Sequence, residues 1–366
     1  MIFDPIKVCS LELQNRFVRS ATPEYMAEED GTPTSELGDL YEEFAKNEVG
    51  LIITGYSYVL PGGKSSEKQQ GIYDDHFIEP YLKITERVHR YRSKIVLQIV
   101  HGGRQASISE AYPVPLAPSD VKDGHSAVVP KVMSEQEILD VIDAFIKAAL
   151  RAKKAGFDGV QLHCAHGFLL SNFISPYTNR RSDRWGGSVE NRARIVLEIV
   201  SGIKEQAGPD FPVLVKMNAT DGFRPGSPKA EMGITLSQAV ETAKLFEKAG
   251  ICAIEVSGGI SEAGGVTIKT AINSPAKEAY FRDYSRAIKQ EVNIPVILVG
   301  GIRSPSVMEC LFEKGYADLV SMSRAFICEP DLVLKLKKSK ENKKARCVSC
   351  NLCFDPKGVK CNFEFK

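Results

Sequence analysis

Two histidines that could do chemistry together, His163 and His166, stand directly after a short apolar run typical of a buried strand. They could donate N–H groups to one developing oxyanion. They could bind a metal ion, because imidazole is a common ligand, or they could be ordinary structural histidines. No acidic or histidine partner with matching spacing supports the metal interpretation. The oxyanion interpretation is therefore favoured, and the other two stay open.

Two further segments have the composition of a phosphate site. Gly300 and Gly301 follow an apolar run and lead into a helical pattern, and Ser323 and Arg324 follow the next apolar run. Glycine lets backbone amides approach an anion, and the N-terminus of a helix favours negative charge. Arg324 adds charge-assisted hydrogen bonds. The two segments together predict a phosphate-binding site.

Two polar side chains interrupt runs that are otherwise apolar. Gln98 lies within the run 95–100, and Lys216 lies within the run 213–217. Burying either without a partner costs free energy, so each is expected to contact a ligand or another polar group. The predicted phosphate site, together with the Gln98 amide and the Lys216 ammonium, suits a flat, phosphorylated cofactor.

The elements that position these residues form a repeating pattern of helix, glycine and short apolar strand. Glycines end three predicted helices, at Gly156, Gly250 and Gly315. Alternating helices and apolar strands predict a parallel sheet, and eight such units predict a closed (β/α)8 TIM barrel of the α/β class. A doubly wound open sheet is the alternative. The eight predicted strands are 16–20, 50–56, 94–100, 159–163, 212–217, 252–257, 295–299 and 318–322.

The loops that follow the strands are the longest connections in the chain. Segments 101–133, 164–190, 218–234 and 258–275 each come after a predicted strand. In such barrels these loops carry the active site, so the histidines and the polar strand residues are expected at one face. We expect one barrel domain over residues 1–332, then a basic helix and a cysteine-rich tail over 333–366.

Composition excludes several classes of protein. The 47 basic and 46 acidic residues give a net charge of +1, which does not favour a nucleic-acid surface. No apolar run is long enough to cross a membrane, and the first residues have no signal-peptide pattern, so neither is expected. The nine cysteines suit a reducing cytoplasm better than a disulfide framework.

Four motifs carry a resemblance to a known family. They are NRFV at 15–18, QIVHGGR at 98–104, HCAHGFL at 163–169 and NRRSDRWGGSVENR at 179–192. With them the chain resembles the old yellow enzyme family of NADH:flavin oxidoreductases over nearly all of residues 1–332. The resemblance implies a barrel with FMN at its mouth and NAD(P)H as co-substrate.

The resemblance also implies roles for individual residues. Gln98 would bond the pyrimidine edge of the flavin and Lys216 would lie near N1. His163 and His166 would bind the substrate carbonyl oxygen, with Tyr25 beside the substrate. The flavin ring would be lined by Ser20, Ala21, Thr22, Pro23 and Tyr56, and the phosphate would be held by Gly300, Gly301, Ser323 and Arg324.

The implied reaction runs in two halves. NAD(P)H first reduces the flavin, and an activated alkene such as an α,β-unsaturated carbonyl compound then accepts hydride. Two residues depart from the family pattern. Phe168 stands where many members have a proton-donating tyrosine, so we expect a proton from water or a reaction in the dehydrogenase direction. Pro23 stands where relatives have a cysteine or threonine that tunes the flavin.

The tail contains four cysteines in a C-x2-C-x2-C-x7-C pattern, formed by Cys347, Cys350, Cys353 and Cys361. This pattern resembles the iron–sulfur segment of 2,4-dienoyl-CoA reductases and trimethylamine dehydrogenases, and thiolates at such spacing suit a [4Fe-4S] cluster. A zinc site and free thiols are the alternatives.

The leading functional hypothesis is an FMN-dependent, ene-reductase-like NAD(P)H oxidoreductase acting on a small-molecule substrate. An alternative is a flavin and iron–sulfur electron-transfer enzyme that works with a partner protein or in the dehydrogenase direction. A remote alternative is a metal-dependent barrel hydrolase built on the two histidines. No nucleic-acid or membrane partner is expected, and a homo-oligomer is compatible with the family.

Overall fold

The barrel strands are short, apolar and buried because each is covered by helices on one side and by the barrel interior on the other. The computed structural model describes residues 1–338 and 344–365. In chain order the strands are β1 Ile6–Val8, β2 Leu11–Leu13, β3 Phe17–Arg19, β4 Leu51–Tyr58, β5 Lys94–Val100, β6 Leu116–Ala117, β7 Lys131–Val132, β8 Gly159–Cys164, β9 Val213–Asn218, β10 Ile254–Ser257, β11 Val296–Val299 and β12 Leu319–Met322.

The helices alternate with these strands and begin and end where the sequence signals them. Ser134 with Glu137, and Thr235 with Gln238, form the two predicted capping boxes. Gly156, Gly250 and Gly315 adopt the left-handed backbone conformation that ends a helix. The helices are α1 Ser35–Lys46, α2 Ile78–Val88, α3 Glu135–Lys154, α4 Leu169–Ile174, α5 Val189–Ala207, α6 Pro228–Met232, α7 Leu236–Lys248, α8 Arg282–Lys289, α9 Pro305–Glu313, α10 Arg324–Cys328 and α11 Leu332–Lys338.

In the described residues, eight parallel strands close into a barrel in the order β3-β4-β5-β8-β9-β10-β11-β12. The last strand pairs with the first, Ser321 opposite Val18, so the sheet has no edge. The predicted (β/α)8 barrel and all eight of its strands are confirmed, and the doubly wound alternative is wrong.

The barrel register places polar residues of neighbouring strands side by side. Gln98 on β5 pairs with Gln161 on β8, and Lys216 on β9 lies between His163 on β8 and Glu255 on β10. Because strand side chains alternate between the two faces of a sheet, residues at one level of the barrel can point into it together. The register therefore gathers the polar strand residues at one level.

A hairpin of β1 and β2 closes the opposite end of the barrel. Val8, Leu11 and Leu13 are buried against apolar residues of the barrel strands. Cys9, at the turn of this hairpin, forms a disulfide with Cys252, which lies 243 residues later, just before β10. The sequence did not predict this bond, because it favoured a reducing cytoplasm over a disulfide framework and the two cysteines meet only in the closed barrel.

The C-terminal tail folds back onto the barrel. The Ala345 amide donates to the Arg303 carbonyl at 2.9 Å, and the Val359 amide donates to the Glu24 carbonyl at 2.8 Å. The predicted basic helix is present as α11, although residues 339–343 of that prediction lie outside the described residues. A division of the chain after residue 332 stays a prediction. Among the helices described, none is both long and apolar enough to cross a membrane.

Candidate active site

A cavity of about 260 Å³ opens at the carboxyl ends of the barrel strands. This is the face to which the sequence assigned the functional loops. Most of the predicted site residues line it, namely Ser20, Ala21, Thr22, Pro23, Tyr56, Gln98, His163, His166, Lys216, Gly301, Ser323 and Arg324. The fold therefore brings together residues from seven of the eight barrel strands or the loops that follow them.

Two of the predicted catalytic and flavin-binding residues are not among those that line this cavity. Tyr25 lies beside a smaller neighbouring cavity, together with Pro23 and Tyr56. Gly300 lies one residue behind the wall, where its carbonyl accepts a hydrogen bond from the Tyr280 amide at 3.3 Å. Direct contacts of these two residues with a ligand stay predictions.

The two histidines lie next to each other in the cavity wall. Their ring centroids are 5.1 Å apart, with the ring planes perpendicular. The Ala165 amide donates to His163 Nδ1 at 3.3 Å, so the ring proton of neutral His163 is on Nε2. His166 Nε2 lies 2.8 Å from Ser257 Oγ. His166 also has a φ of 63°, a left-handed conformation that is uncommon for a residue with a side chain.

Both imidazoles are held in the neutral form. Burial lowers the pKa of His163 well below its usual value, and electrostatic interactions with His166 and Lys216 lower it further. Burial and Lys216 do the same to the pKa of His166. A neutral imidazole donates one N–H, which suits hydrogen bonding to a carbonyl oxygen.

The metal interpretation of the histidine pair gains no support from the surroundings. Within residues 1–338 and 344–365, no group of three or more histidine, cysteine or acidic side chains is arranged to hold a metal ion. A catalytic zinc ion needs three protein ligands. The hydrolase alternative therefore lacks its metal site in the part of the chain described.

Beneath the cavity runs a chain of buried side chains that we call the polar row, formed by Gln98, Gln161, Glu255 and Lys216. Gln98 Nε2 donates to Gln161 Oε1 at 2.6 Å, and Gln161 Nε2 donates to Glu255 Oε2 at 3.0 Å. Lys216 Nζ lies 3.4 Å from Glu255 Oε1 and donates to Ser20 Oγ at 2.8 Å. Each member is at least 95% buried, so these contacts are not screened by water.

The carboxylate at the centre of the polar row is ionised. Burial alone would raise the pKa of Glu255, but its ion pair with Lys216 and the hydrogen bonds it accepts outweigh burial and lower that pKa. The Ser20 and Ser321 hydroxyls donate to Glu255 Oε1 at 2.6 and 2.8 Å. A buried charge is tolerated in this way only when it is paired and hydrogen-bonded.

One atom of the polar row has no partner. Gln98 Oε1 is buried and makes no hydrogen bond to any residue that the structure describes, which costs free energy unless a ligand satisfies it. Gln98 and Lys216 both line the cavity. An unsatisfied acceptor and a nearby cation fit a flat ring with a polar edge, such as the isoalloxazine ring of FMN.

At the other side of the cavity the residues fit a phosphate. Gly301, Ser323 and Arg324 line the wall, with Arg303 as an additional cation. Ser323 Oγ lies 2.5 Å from Thr22 Oγ1. The amides of Arg303 and Ser304 at the start of α9 are not free, because both donate to Glu278 Oε2, at 2.7 and 2.8 Å. These two amides are therefore unavailable to a ligand, and phosphate binding by Gly301, Ser323 and Arg324 stays a prediction.

The cysteine-rich tail forms part of the cavity wall through Cys347, Ser349 and Phe354. A second, small cavity is lined by five cysteines, Cys328, Cys347, Cys350, Cys353 and Cys361. The thiols are gathered, but as placed they are not among any ligand group arranged to hold a metal ion in the described residues. Iron–sulfur or zinc binding by Cys347, Cys350, Cys353 and Cys361 therefore stays a prediction.

Sequence reasoning missed several residues of the site. Gln161 and Glu255 each stand inside an apolar strand, as Gln98 and Lys216 do. The same signal could therefore have identified them. Tyr280 and Arg303 also line the cavity. They lie in or near loops, where the sequence has no periodic pattern that indicates orientation.

Comparison with known proteins identifies the family to which the chain belongs. The family model described as NADH:flavin oxidoreductase / NADH oxidase matches residues 1–343. An NADH oxidase from Thermoanaerobacter brockii is 38% identical over 355 residues, which cover 96% of this chain and 53% of that protein. The chain thus spans about half the length of that relative.

Two shorter proteins match along nearly their whole length. An NADPH dehydrogenase from Bacillus subtilis is 32% identical over 330 residues, covering 90% of this chain and 92% of that protein. The solved structure of an old yellow enzyme homologue from Zymomonas mobilis has a TM-score of 0.77 and 26% identity, covering 94% of each chain. These matches confirm the resemblance found in the sequence motifs. The chain belongs to the NADH:flavin oxidoreductase / NADH oxidase family, which is FMN-dependent and uses NAD(P)H as reductant.

Proposed function

We propose that this protein takes hydride from NAD(P)H and passes it to an activated alkene, an α,β-unsaturated carbonyl compound or a related small-molecule acceptor. The observation that carries the proposal is the pair of neutral imidazoles, His163 and His166, in the same cavity wall as Gln98 and Lys216. A cytoplasmic location and a homo-oligomeric state belong to the same proposal.

In this proposal the residues of the cavity wall hold FMN, which supplies hydride transfer when bound. Gln98 and Lys216 hold the polar edge of the ring, and Ser20, Ala21, Thr22, Pro23 and Tyr56 line its surroundings. Gly301, Ser323 and Arg324 hold the phosphate, through backbone amides and charge-assisted hydrogen bonds. The apolar wall and the tail exclude water, which strengthens each of these electrostatic contacts.

The two histidines hold the substrate carbonyl oxygen. Each neutral imidazole donates one N–H, and the negative charge on that oxygen grows as hydride reaches the β-carbon. Hydrogen bonds that strengthen as the charge develops stabilise the transition state more than the ground state. Because both pKa values lie well below the usual range, the donors keep the same protonation state across neutral pH.

Two half-reactions, measured separately without oxygen, test this proposal. His166→Ala should slow reoxidation of the reduced protein by 2-cyclohexen-1-one by about 10²-fold, the usual cost of losing one oxyanion donor. The rate of reduction by NAD(P)H should fall by a factor at least roughly tenfold smaller than that for reoxidation, because no oxyanion forms in that step. His76→Ala is the matched control, since His76 is on the surface and 46% exposed. Equal slowing of both steps in His166→Ala would contradict the proposed role.

A second candidate function is electron exchange with a partner protein through the tail. The observation that favours it is that Cys347 lines both the large cavity and the small cysteine-lined cavity. Iron, acid-labile sulfide and zinc analysis of protein purified without oxygen tests it. Near-stoichiometric iron and sulfide would support this candidate, and protein free of both would remove it.

A further inference from the structure

The polar row contains two amides whose orientation is not free. Glu255 is fully buried and ionised, and an ionised carboxylate has no proton to donate. The atom of Gln161 that lies 3.0 Å from Glu255 Oε2 must therefore be the NH2 group. The carbonyl oxygen of Gln161 then points the other way, toward Gln98.

The same reasoning fixes the next amide. The atom of Gln98 that lies 2.6 Å from Gln161 Oε1 must donate, so it is Nε2. The remaining atom, Gln98 Oε1, is an acceptor and has no partner among residues 1–338 and 344–365. The charge of Glu255 thus determines, through two amides, that the unpartnered atom of Gln98, a residue of the cavity wall, is an oxygen and not an NH2 group.

At the opposite end of the polar row, Glu255 holds a donor in place. Lys216 Nζ lies 3.4 Å from Glu255 Oε1 and donates to Ser20 Oγ, which itself donates to Glu255 Oε1. The cation therefore remains at the level of the cavity floor. One carboxylate sets both an acceptor at Gln98 and a cation at Lys216.

We propose that Glu255 is a positioning residue that selects a ring with an N–H donor opposite Gln98 and an electron-rich edge near Lys216. This inference rests on the proposed function and deepens it, because the isoalloxazine ring of FMN has one such donor, the imide N3–H. A ring without that N–H would leave Gln98 Oε1 buried and unsatisfied.

Replacing the carboxylate of Glu255 by an amide should reverse the orientations of the Gln161 and Gln98 amides. In Glu255→Gln the new side chain has only one oxygen. That oxygen should face the Lys216 ammonium, because an NH2 group in its place would be repelled by the cation. The NH2 group then faces Gln161, whose amide turns, and Gln98 turns in consequence. Gln98 would present NH2 to the N3–H of the ring, so two donors would face each other.

The experiment compares FMN with 3-methyl-FMN, in which a methyl group replaces the N3 proton. Dissociation constants are measured by fluorescence titration of the full-length protein freed of flavin. The ratio of the dissociation constant for 3-methyl-FMN to that for FMN measures the preference for FMN. In the unmodified protein this ratio should be roughly 10 to 100, the effect of one unsatisfied buried acceptor. Glu255→Gln should lower this ratio at least about tenfold, whereas Glu255→Asp, which keeps the charge, should restore most of it.

Ser321→Ala is the matched control, because it removes one hydrogen bond to Glu255 and leaves the charge. The ratio of the two dissociation constants in this variant should stay within about threefold of the ratio in the unmodified protein. A wild-type ratio in folded Glu255→Gln would overturn the role of Glu255 alone. Failure of the unmodified protein to bind FMN would overturn the proposed function itself.

A measurement on the unmodified protein covers the case in which Glu255→Gln does not fold. The protein is reconstituted with FMN labelled with 15N at N3, and the N3–H proton is observed by NMR. A slowly exchanging proton is expected, because Gln98 Oε1 would hold it. An N3 proton that exchanges as fast as in free FMN would overturn the proposal.

Discussion

Phe168 occupies a position at which its ring contacts one of the two histidines, His163. Its ring centroid lies 4.7 Å from that of His163 and 5.4 Å from that of Tyr56. The benzyl side chain contributes apolar area but carries no transferable proton. In the proposed reaction the histidines would stabilise a developing oxyanion, and the proton for the α-carbon would have to come from a group other than Phe168.

Phe168→Tyr should raise the rate of alkene reduction at least tenfold, because a positioned general acid typically contributes about 10²- to 10⁴-fold. The measurement is the reoxidation of reduced protein by 2-cyclohexen-1-one. Phe168→Leu is the control, since it changes the ring without adding a proton. If Phe168→Tyr leaves the rate of reoxidation unchanged, proton delivery does not limit the reaction.

The site could be predicted from the sequence where a residue broke a pattern. Gln98 and Lys216 interrupt apolar strands, and both line the cavity. Glu255 also interrupts an apolar strand but was not predicted, because a single acidic residue near a loop is usually exposed to solvent. Its four polar contacts come from residues 39 to 235 positions away, and no local pattern indicates them.

The barrel strands were predictable as elements because their burial on both faces produces continuous apolar runs. The hairpin β1–β2 was not predicted, since its strands are three residues long and its apolar partners lie on the distant barrel strands. The same holds for the Cys9–Cys252 bond. Contacts that only the closed barrel creates leave no trace in local sequence.

The Cys9–Cys252 disulfide should stabilise the barrel by joining the hairpin to the start of β10. Cys9→Ser should lower the free energy of unfolding by about 2–5 kcal/mol, the usual cost of losing a native disulfide. Urea unfolding under non-reducing conditions measures this change, and a reductant should remove the difference between the two proteins. Cys310→Ser, which changes a free cysteine, is the control. Equal stabilities without reductant would mean that the bond does not contribute.

At the scale of the whole molecule, the tail completes the site. Residues after 343 return to the barrel mouth, where Ser349 accepts a hydrogen bond from the Ala271 amide and Asn351 accepts one from Arg324. The sequence predicted a cysteine-rich tail but not its place, because a segment without periodicity gives no docking direction. The cavity wall therefore combines a predictable barrel with an unpredictable covering segment.

The measurement that tests the central claim most directly is the visible absorption spectrum of the protein purified without oxygen, before and after addition of NADH and then NADPH. The account predicts a flavin spectrum that one of the two nucleotides bleaches and that an α,β-unsaturated ketone restores. Folded protein that stays colourless after addition of FMN, or a bound flavin that neither nucleotide reduces, would contradict it.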